Sequence, residues 1–371
     1  MNKFDIVEKI NPADLIMALI EKDKLFPYQL LKKHLNISGD WQENYFNWGR
    51  NALYWLFKRL PYKTITFPAF TCPTLTWAAQ KAGKNIVLAE IDLVTFNLDI
   101  NKIPDDTKCL VVVHTFGNPV NIKEIRKKFK NIYIIEDCAH ALYSKIDNQF
   151  VGNQGDAVLF SLYKQIVNIN GAFLLTGKKL FKRQNIESDF KYLKRLIFKT
   201  KGFHQWGLNF KRHHYLPGIE PQALSQDKPS RLVLSLFEKG FKKLEREIEG
   251  RRRVVKWYEE EVNNYSYLTS QKSSFKASPS YYHFSVYLDP SLIAIRDKIA
   301  FSLRKKNIFS ARLWPKAPIT QKRYKNYIKK CPQALVLAQS VINLPIYSSY
   351  NKKDVKYLFS EIDKVIKANN D

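Results

Sequence analysis

The chain has 371 residues, and its 61 Lys and Arg against 34 Asp and Glu give a formal net charge of +27. This length suffices for one large α/β domain and a smaller one, and a 45% share of hydrophobic residues excludes an intrinsically disordered chain despite the charge. With only 13 Gly and 16 Pro, collagen-like and low-complexity classes are excluded as well.

The sequence also argues against a membrane-spanning protein and against a structural zinc site. No stretch reaches the roughly 18 consecutive apolar residues of a transmembrane helix, and the N-terminal residues lack the apolar region of a signal peptide. The cysteines lie too far apart for a zinc clamp. We expect them to be thiols in a reducing compartment, at Cys72, Cys109, Cys138 and Cys331. We therefore expect a cytoplasmic protein.

In chain order, residues 1–60 have a helical pattern with polar interruptions, and Gly49 precedes an amphipathic stretch at 51–60. A series of short, nearly continuous apolar segments follows. We predict strands at 64–68, 84–92, 109–117, 131–140, 156–162 and 172–176, with helices at 73–83 and 121–129. This alternation predicts an α/β fold with an open, doubly wound and mostly parallel sheet. Such a sheet binds its ligand beyond the carboxyl ends of the strands.

Residues 178–215 interrupt this pattern with 11 Lys and Arg, two acidic residues and eight interleaved aromatics. We consider two interpretations: a surface helix whose aromatics pack on a dimer partner, or a segment that contacts an anionic membrane. A Pro-rich loop and a long charged helix over 231–262 follow. We predict an N-terminal arm and large domain at 1–240, in which 178–229 would be an insertion. A smaller α/β domain follows at 241–371.

The first group of residues that could carry chemistry follows a predicted buried strand. Glu136 and Asp137 end that strand, and His140 comes three residues later. A buried carboxylate is costly unless it is paired. It could cap a helix at the strand end, or it could hold a cationic group of a ligand with His140 nearby.

Two further groups could also carry chemistry. One follows a predicted strand, and the other lies at the start of a predicted helix. Ser161 and Lys164 follow the strand at 156–162, where a hydroxyl could bind phosphate and an amine could form a Schiff base; a solvated loop lysine is the alternative. Gly49 opens a helix whose free N–H groups could bind phosphate.

A series of motifs carries a resemblance to a known family. In order, these motifs are Phe67-Pro-Ala-Phe-Thr-Cys-Pro-Thr, Glu90-Ile-Asp92, His114-Thr-Phe-Gly-Asn-Pro119, Glu136-Asp137-Cys-Ala-His140, Gly152-Asn-Gln-Gly-Asp156 and Phe160-Ser161. Their order and spacing resemble those of the DegT/DnrJ/StrS aminotransferases. These are fold-type-I enzymes that use pyridoxal 5'-phosphate (PLP) to make amino sugars on nucleotide carriers. The resemblance covers roughly residues 45–176 and 230–365.

The resemblance implies a role for each matching residue. Asp137 matches the carboxylate that pairs with the pyridinium nitrogen of PLP, and His140 matches a residue that lies against the ring. Ser161 matches a phosphate-binding hydroxyl. The turn at Gly49, Arg50 and Asn51 matches one that offers N–H groups to the same phosphate. Lys164 is the candidate for the lysine that forms the Schiff base.

The sequence departs from the family pattern around this lysine. Family members carry it five residues after the serine, where this chain has Ile166, and their Gly-Glu-Gly-Gly run is reduced to Ile169-Asn-Gly-Ala172. A two-residue deletion would bring Lys164 into register. The family's dehydratases carry His instead, and no His lies in this loop.

Two other cofactor contacts are also unusual. Cys72 stands where an aromatic residue often stacks on PLP, so stacking would rest mainly on His140. Family members receive an Asn from the partner subunit. Gly207-Leu-Asn209-Phe-Lys211 resembles that segment, and Ser230-Arg231 could also match its end.

The resemblance implies a homodimeric aminotransferase that moves an amino group from glutamate to a keto sugar on a nucleotide, for cell-surface polysaccharide or related amino sugars. The altered loop motivates an alternative, a degenerate member that binds PLP or a sugar nucleotide without transamination. The net charge alone favours nucleic acid, but no recognition motif supports that partner. It also suits anionic substrates.

Overall fold

The computed structural model describes residues 10–20, 27–37, 39–181, 184–186, 188–189, 224–274 and 276–369. Asn209 and most of the basic segment 178–215 lie outside these ranges, so the assignments made for them stay predictions. Within the described ranges, no helix combines the length and the apolar character needed to cross a bilayer.

The described elements alternate between helix and strand. The helices are α1 (Pro12–Ile20), α2 (Pro27–Leu35), α3 (Gly49–Arg59), α4 (Pro73–Lys81), α5 (Ile122–Lys128), α6 (Arg231–Val262), α7 (Arg296–Lys305), α8 (Pro332–Ser340) and α9 (Lys352–Lys367). The strands are β1 (Gln42–Phe46), β2 (Thr64–Pro68), β3 (Asn85–Ala89), β4 (Cys109–Val113), β5 (Tyr133–Asp137), β6 (Lys145–Ile146), β7 (Gln149–Phe150), β8 (Ala157–Ser161), β9 (Ala172–Thr176), β10 (Leu268–Ser270), β11 (Ala277–Ser278), β12 (Phe284–Leu288) and β13 (Val341–Leu344).

The central sheet has seven strands in the order β1-β9-β8-β5-β4-β2-β3. Neighbours from β8 to β3 run parallel, whereas β9 is antiparallel to both β8 and β1. This confirms the predicted doubly wound, mostly parallel sheet. Strands β5 and β8 are adjacent, with Asp137 opposite Leu159, so Asp137 and Ser161 end their strands at the same edge.

Strand β1 corrects the prediction of helix throughout residues 1–60. Its five residues pair with β9, and the Asn44 amide donates to the Leu174 carbonyl oxygen at 3.3 Å and to Thr176 Oγ1 at 2.9 Å. These partners are about 130 positions away along the chain, so a local pattern does not reveal them. Long-range pairing therefore overrides the local helical signal here.

Side chains on both faces of the sheet are buried. Along β8, Leu159 packs into a cluster with α3, α4 and α8, while Val158 and Phe160 pack on the opposite face with α2 and α6. Along β9, Leu174 joins the first cluster and Phe173 joins the second. Because side chains alternate along a strand, burial of both faces explains why these strands have nearly continuous apolar sequences.

Helix α6 confirms the long helix predicted over 231–262. It begins at the Ser230 cap, whose hydroxyl accepts from the Val233 N–H at 3.4 Å. Its first half packs on the central sheet, and its second half packs in a separate cluster with β12 and α9. The predicted domain boundary at residue 240 falls within this helix, so the division into two domains stays a prediction.

Two glycines bring α6 close to neighbouring loops. A Cβ atom at Gly240 would lie 2.2 Å from Ile166 Cγ2, and one at Gly250 would lie 2.3 Å from Ser348 Cβ. Both distances are far shorter than van der Waals contact. The helix therefore needs glycine at both positions to pack against the loop after β8 and the loop after β13.

The C-terminal part forms a small α/β unit. Strands β10, β12 and β13 make an antiparallel sheet, and α7 and α9 pack on it. Helix α9 begins with a capping box, in which the Asn351 side chain accepts from the Asp354 N–H and the Asp354 carboxylate accepts from the Asn351 N–H. This unit combines strands and helices within the range where we predict a smaller α/β domain.

Candidate active site

A cleft at the carboxyl edge of the central sheet brings together residues from distant parts of the sequence. Of the predicted site residues that are described, its lining includes Gly49, Arg50, Cys72, Asp137, His140, Ser161 and Lys164. The side chain of Asn51 is buried but does not line it. The cleft is therefore built from the ends of β5 and β8, the start of α3 and the loop before α4.

Asp137 ends β5 with its carboxylate buried, at 5% exposure. One oxygen accepts a hydrogen bond from the Ala139 N–H at 2.9 Å. Burial raises the pKa of Asp137 to about 6, although the Ala139 bond and the positive charge of Lys164 oppose the rise. Such a carboxylate gains most from a cationic partner, because the partner offsets the cost of desolvation.

Glu136, its neighbour on β5, has a different role. Its carboxylate accepts from the Gly152 N–H at 2.6 Å and the Gly155 N–H at 2.9 Å, and its Oε1 lies 3.0 Å from His114 Nε2. His114 Nδ1 accepts from the Val120 N–H, so Nε2 carries the proton and donates to Glu136. Burial would raise the pKa of Glu136, but these bonds hold it below its usual value. Glu136 thus anchors a loop, and only Asp137 lines the cleft.

His140 lies in a stack of aromatic rings. Its ring is 4.4 Å from that of Tyr282 and 5.5 Å from that of Trp314, with interplanar angles of 23° and 11°. Burial lowers its pKa well below the usual value, so the ring is neutral. Its Nδ1 is buried without a hydrogen-bond partner in the structure, which leaves one polar atom for a ligand to satisfy.

Lys164 follows β8 in a short loop. Its Nζ lies 5.3 Å from the ring centre of Tyr163 and 5.7 Å from that of Tyr282. The loop returns at Gly171, whose carbonyl accepts from the Leu162 N–H at 2.9 Å. Gly171 has φ of 107°, and a Cβ there would lie 2.8 Å from Leu162 Cδ1. The single glycine kept from the family run therefore permits the tight return.

The start of α3 is a candidate anion site. Trp48 caps the helix without a side-chain hydrogen bond, and Gly49 and Arg50, the first residues of α3, line the cleft together with Ser161. Unsatisfied N–H groups at a helix N-terminus bind phosphate. A Cβ at Gly49 would lie 3.3 Å from Leu159 Cδ2, so glycine lets the helix start approach β8 closely. The Arg50 guanidinium lies 4.9 Å from the Trp48 ring centre.

Aromatic residues of the cleft that were not predicted as site residues include Trp48, Tyr163 and Trp314. Trp314 lines it and packs on His140, and Tyr163 lies beside the lysine with its ring 5.5 Å from that of Trp48. Cys72 also lines the cleft, with Sγ 3.0 Å from Thr74 Oγ1. Trp314 comes from the C-terminal part of the chain, and no local pattern marks it.

The cleft as a whole suits a planar, phosphate-bearing ligand with a cationic ring nitrogen and a carbonyl group. The helix start and Ser161 offer donors for the phosphate, Asp137 offers a buried carboxylate for the nitrogen, and Lys164 offers an amine. PLP has this set of groups.

Comparisons with known proteins point in the same direction. The UDP-N-acetyl-3-dehydro-α-D-glucosamine 3-aminotransferase of Acidithiobacillus ferrooxidans is 24% identical over 317 residues, 82% of this chain and 78% of that one. The structure of Helicobacter pylori PseC, an aminotransferase involved in the biosynthesis of pseudoaminic acid, superposes with a TM-score of 0.73 at 18% identity, covering 99% of this chain and 97% of that one.

A third similar protein is GDP-4-keto-6-deoxymannose-3-dehydratase, solved with a trapped PLP-glutamate geminal diamine. It has a TM-score of 0.71 at 18% identity and covers 95% of this chain and 99% of that one. These two structures share the fold of this chain. A family model matches residues 54–363, and the chain therefore belongs to the DegT/DnrJ/EryC1/StrS aminotransferase family.

Proposed function

We propose that this protein is a PLP-dependent aminotransferase that moves an amino group from glutamate to a keto sugar on a nucleotide carrier, for amino-sugar biosynthesis. The observation that carries the proposal is the convergence of Lys164, Asp137 and Ser161 in one cleft of a chain of this family. The sugar-nucleotide substrate follows the relative of Acidithiobacillus ferrooxidans. Glutamate follows the adduct trapped in the dehydratase.

The residues of the cleft fit the cofactor. When bound, PLP supplies an electron sink for the negative charge that develops at the reacting carbon of the substrate. Asp137 would hold the ring nitrogen in its protonated form, because the buried carboxylate favours a cationic partner. Ser161 and the N–H groups of α3 would hold the phosphate. The unpartnered Nδ1 of His140 would face the ring.

Lys164 would perform the acid-base chemistry. Its amine would bind the cofactor before the amino donor arrives, and would then take the proton from the donor's reacting carbon and return one to the keto sugar. The rings of Tyr163 and Tyr282 flank the ammonium group. These ring contacts help to hold the amine in the cleft.

The proposal extends to assembly. Two copies would share their active sites, with Asn209 of one copy reaching the cofactor of the other, in the cytoplasm. Mixing Lys164→Ala subunits with Asn209→Ala subunits then tests the sharing, because only the mixed dimer contains one site with both native residues. A mixture without regained activity contradicts a shared site.

Contact of residues 178–215 with a membrane is tested by co-sedimentation with anionic vesicles.

The main experiment asks whether PLP becomes attached to Lys164. We expect visible absorbance that glutamate shifts, and borohydride reduction should fix the cofactor on the peptide that contains Lys164. The Lys164→Ala variant should lose the attachment and at least about 10²-fold in transamination rate. Lys145→Ala is the matched control, since that half-buried ammonium also lies over an aromatic ring, 4.3 Å from the Phe150 centre.

Transamination is then assayed with UDP-, dTDP- and GDP-linked keto sugars. A wild-type protein that takes up no PLP refutes the proposed function. A protein that takes up PLP on Lys164 but exchanges no amino group with any amino acid supports a degenerate member instead.

A further inference from the structure

The loop that carries Lys164 is held by a buried polar side chain with no place yet in the reaction. Gln165, the next residue, is 3% exposed. Its Nε2 donates to the His140 carbonyl oxygen at 2.6 Å and to Ser280 Oγ at 2.8 Å. Its Oε1 accepts from Arg251 Nη1 at 2.6 Å. Both sides of the amide are therefore engaged.

Arg251 is the partner on the acceptor side of the Gln165 amide, so that Gln165 bridges Arg251 to His140 and Ser280. Arg251 lies in α6, is also 3% exposed, and its Nε donates to Glu247 Oε1 at 3.2 Å. Glu247 in turn accepts from the Ser348 N–H at 3.2 Å. Hydrogen bonds from a charged donor are shorter and stronger than neutral ones. The Arg251 contact thus fixes the Gln165 side chain to the long helix.

The donor side of Gln165 contacts the two segments that carry rings near the amine. Its two acceptors belong to the segment of His140 and to Ser280, and the Ser280 hydroxyl itself donates to the His140 carbonyl at 3.1 Å. Tyr282, two residues after Ser280, stacks on His140 and lies near Lys164 Nζ. One side chain therefore connects the loop of Lys164 to both His140 and Tyr282.

We propose that Gln165 and Arg251 are positioning residues, which fix the Lys164 amine relative to His140 and Tyr282. The inference rests on the proposed function. The loop between the paired residues Ser161 and Ala172 is short, and the Arg251 side chain of α6 is hydrogen-bonded to it. Because effective concentration depends steeply on geometry, loosening this bridge should slow proton transfer without weakening substrate binding.

The test uses PLP-loaded wild type and the Gln165→Met variant, which keeps similar volume and removes all three hydrogen bonds. We expect the half-reaction with glutamate to slow by about 10- to 100-fold, with half-saturation by glutamate changed less than about threefold. The pH midpoint of the visible absorbance should move by about half a unit or more, because the surroundings of the amine change.

Gln80→Ala is the matched control. Gln80 also bridges an arginine and a hydroxyl, accepting from Arg323 Nη1 at 2.7 Å and donating to the Tyr324 hydroxyl at 2.8 Å, but it does not line the cleft. We expect wild-type kinetics and an unchanged pH midpoint. If Gln165→Met does not fold, the Gln165→Glu variant replaces it in the same assays and should show the same two changes. Glutamate keeps the acceptor for Arg251 but loses the donors to the His140 carbonyl and to Ser280.

Arg251→Met should give the same two changes as Gln165→Met, and combining the substitutions should add little, since both break one bridge. Arg251→Lys should retain part of the half-reaction rate that Arg251→Met loses. A wild type that takes up no PLP refutes the proposed function and this inference together. If wild type takes up PLP and Gln165→Met keeps its rate and pH midpoint, only the positioning role is refuted, even where thermal stability falls.

Discussion

The buried carboxylate of Asp137 should make the cofactor-free protein less stable than its Asp137→Asn variant at neutral pH. The folded state holds the pKa of Asp137 at about 6 through burial, against an ordinary value of 3.8. A raised carboxyl pKa means that the folded state binds the proton more tightly. Its contribution to stability is present at low pH and is lost as the pH rises through about 6.

The difference of about two pKa units corresponds to about 3 kcal/mol, at about 1.4 kcal/mol for each unit. Asparagine keeps the acceptor for the Ala139 N–H and cannot ionise. We therefore expect Asp137→Asn to gain up to about 3 kcal/mol in unfolding free energy at pH 8 relative to wild type. The gain should nearly vanish near pH 4.

Urea unfolding of both proteins without PLP, from pH 4 to pH 8, measures this difference, and other titrating groups cancel between them. Glu136→Gln is a control of opposite sign. Since hydrogen bonds hold the pKa of Glu136 below its usual value, the substitution should cost stability at neutral pH, and the cost should shrink as the solution is acidified. A difference between wild type and Asp137→Asn that stays constant across the range would refute the reasoning.

Two further substitutions test the phosphate end of the cleft and the tight return of the loop. Ser161→Ala should weaken PLP binding by about tenfold, the loss expected for one hydrogen bond to a charged group, as measured by fluorescence quenching; unchanged affinity contradicts the assigned contact. Gly171→Ala should lower the unfolding free energy by about 1–3 kcal/mol, because φ of 107° is strained for alanine and its Cβ meets Leu162. A stability equal to wild type in urea would show that the loop returns differently.

The sequence predicted the sheet well for physical reasons. Strands β4, β5, β8 and β9 are buried on both faces, so their apolar runs are visible without tertiary information. Helix α6 was predicted with its observed ends, because a long charged sequence follows a Pro-rich loop. Asp137 and Ser161 could be placed at one edge because both end parallel neighbours.

Other features depend on contacts that no local pattern contains. β1 exists only through its pairing with β9. Trp314 reaches the cleft from the C-terminal part of the chain, and Gln165 gains its partners from α6 and from the loop at Ser280. Asn51 was predicted in the turn whose N–H groups would bind the phosphate; it does not line the cleft, and that contact stays a prediction.

The glycine at position 240 has a consequence for how this sequence can change over time. A helix-interior glycine costs about 1 kcal/mol relative to alanine, yet even the methyl group of alanine would collide with Ile166. Position 240 can thus accept a larger residue only after position 166 has become smaller. We expect the two positions to change together in descendants of this chain. Substitutions in α6 are therefore coupled to substitutions in the loop that carries the proposed catalytic lysine.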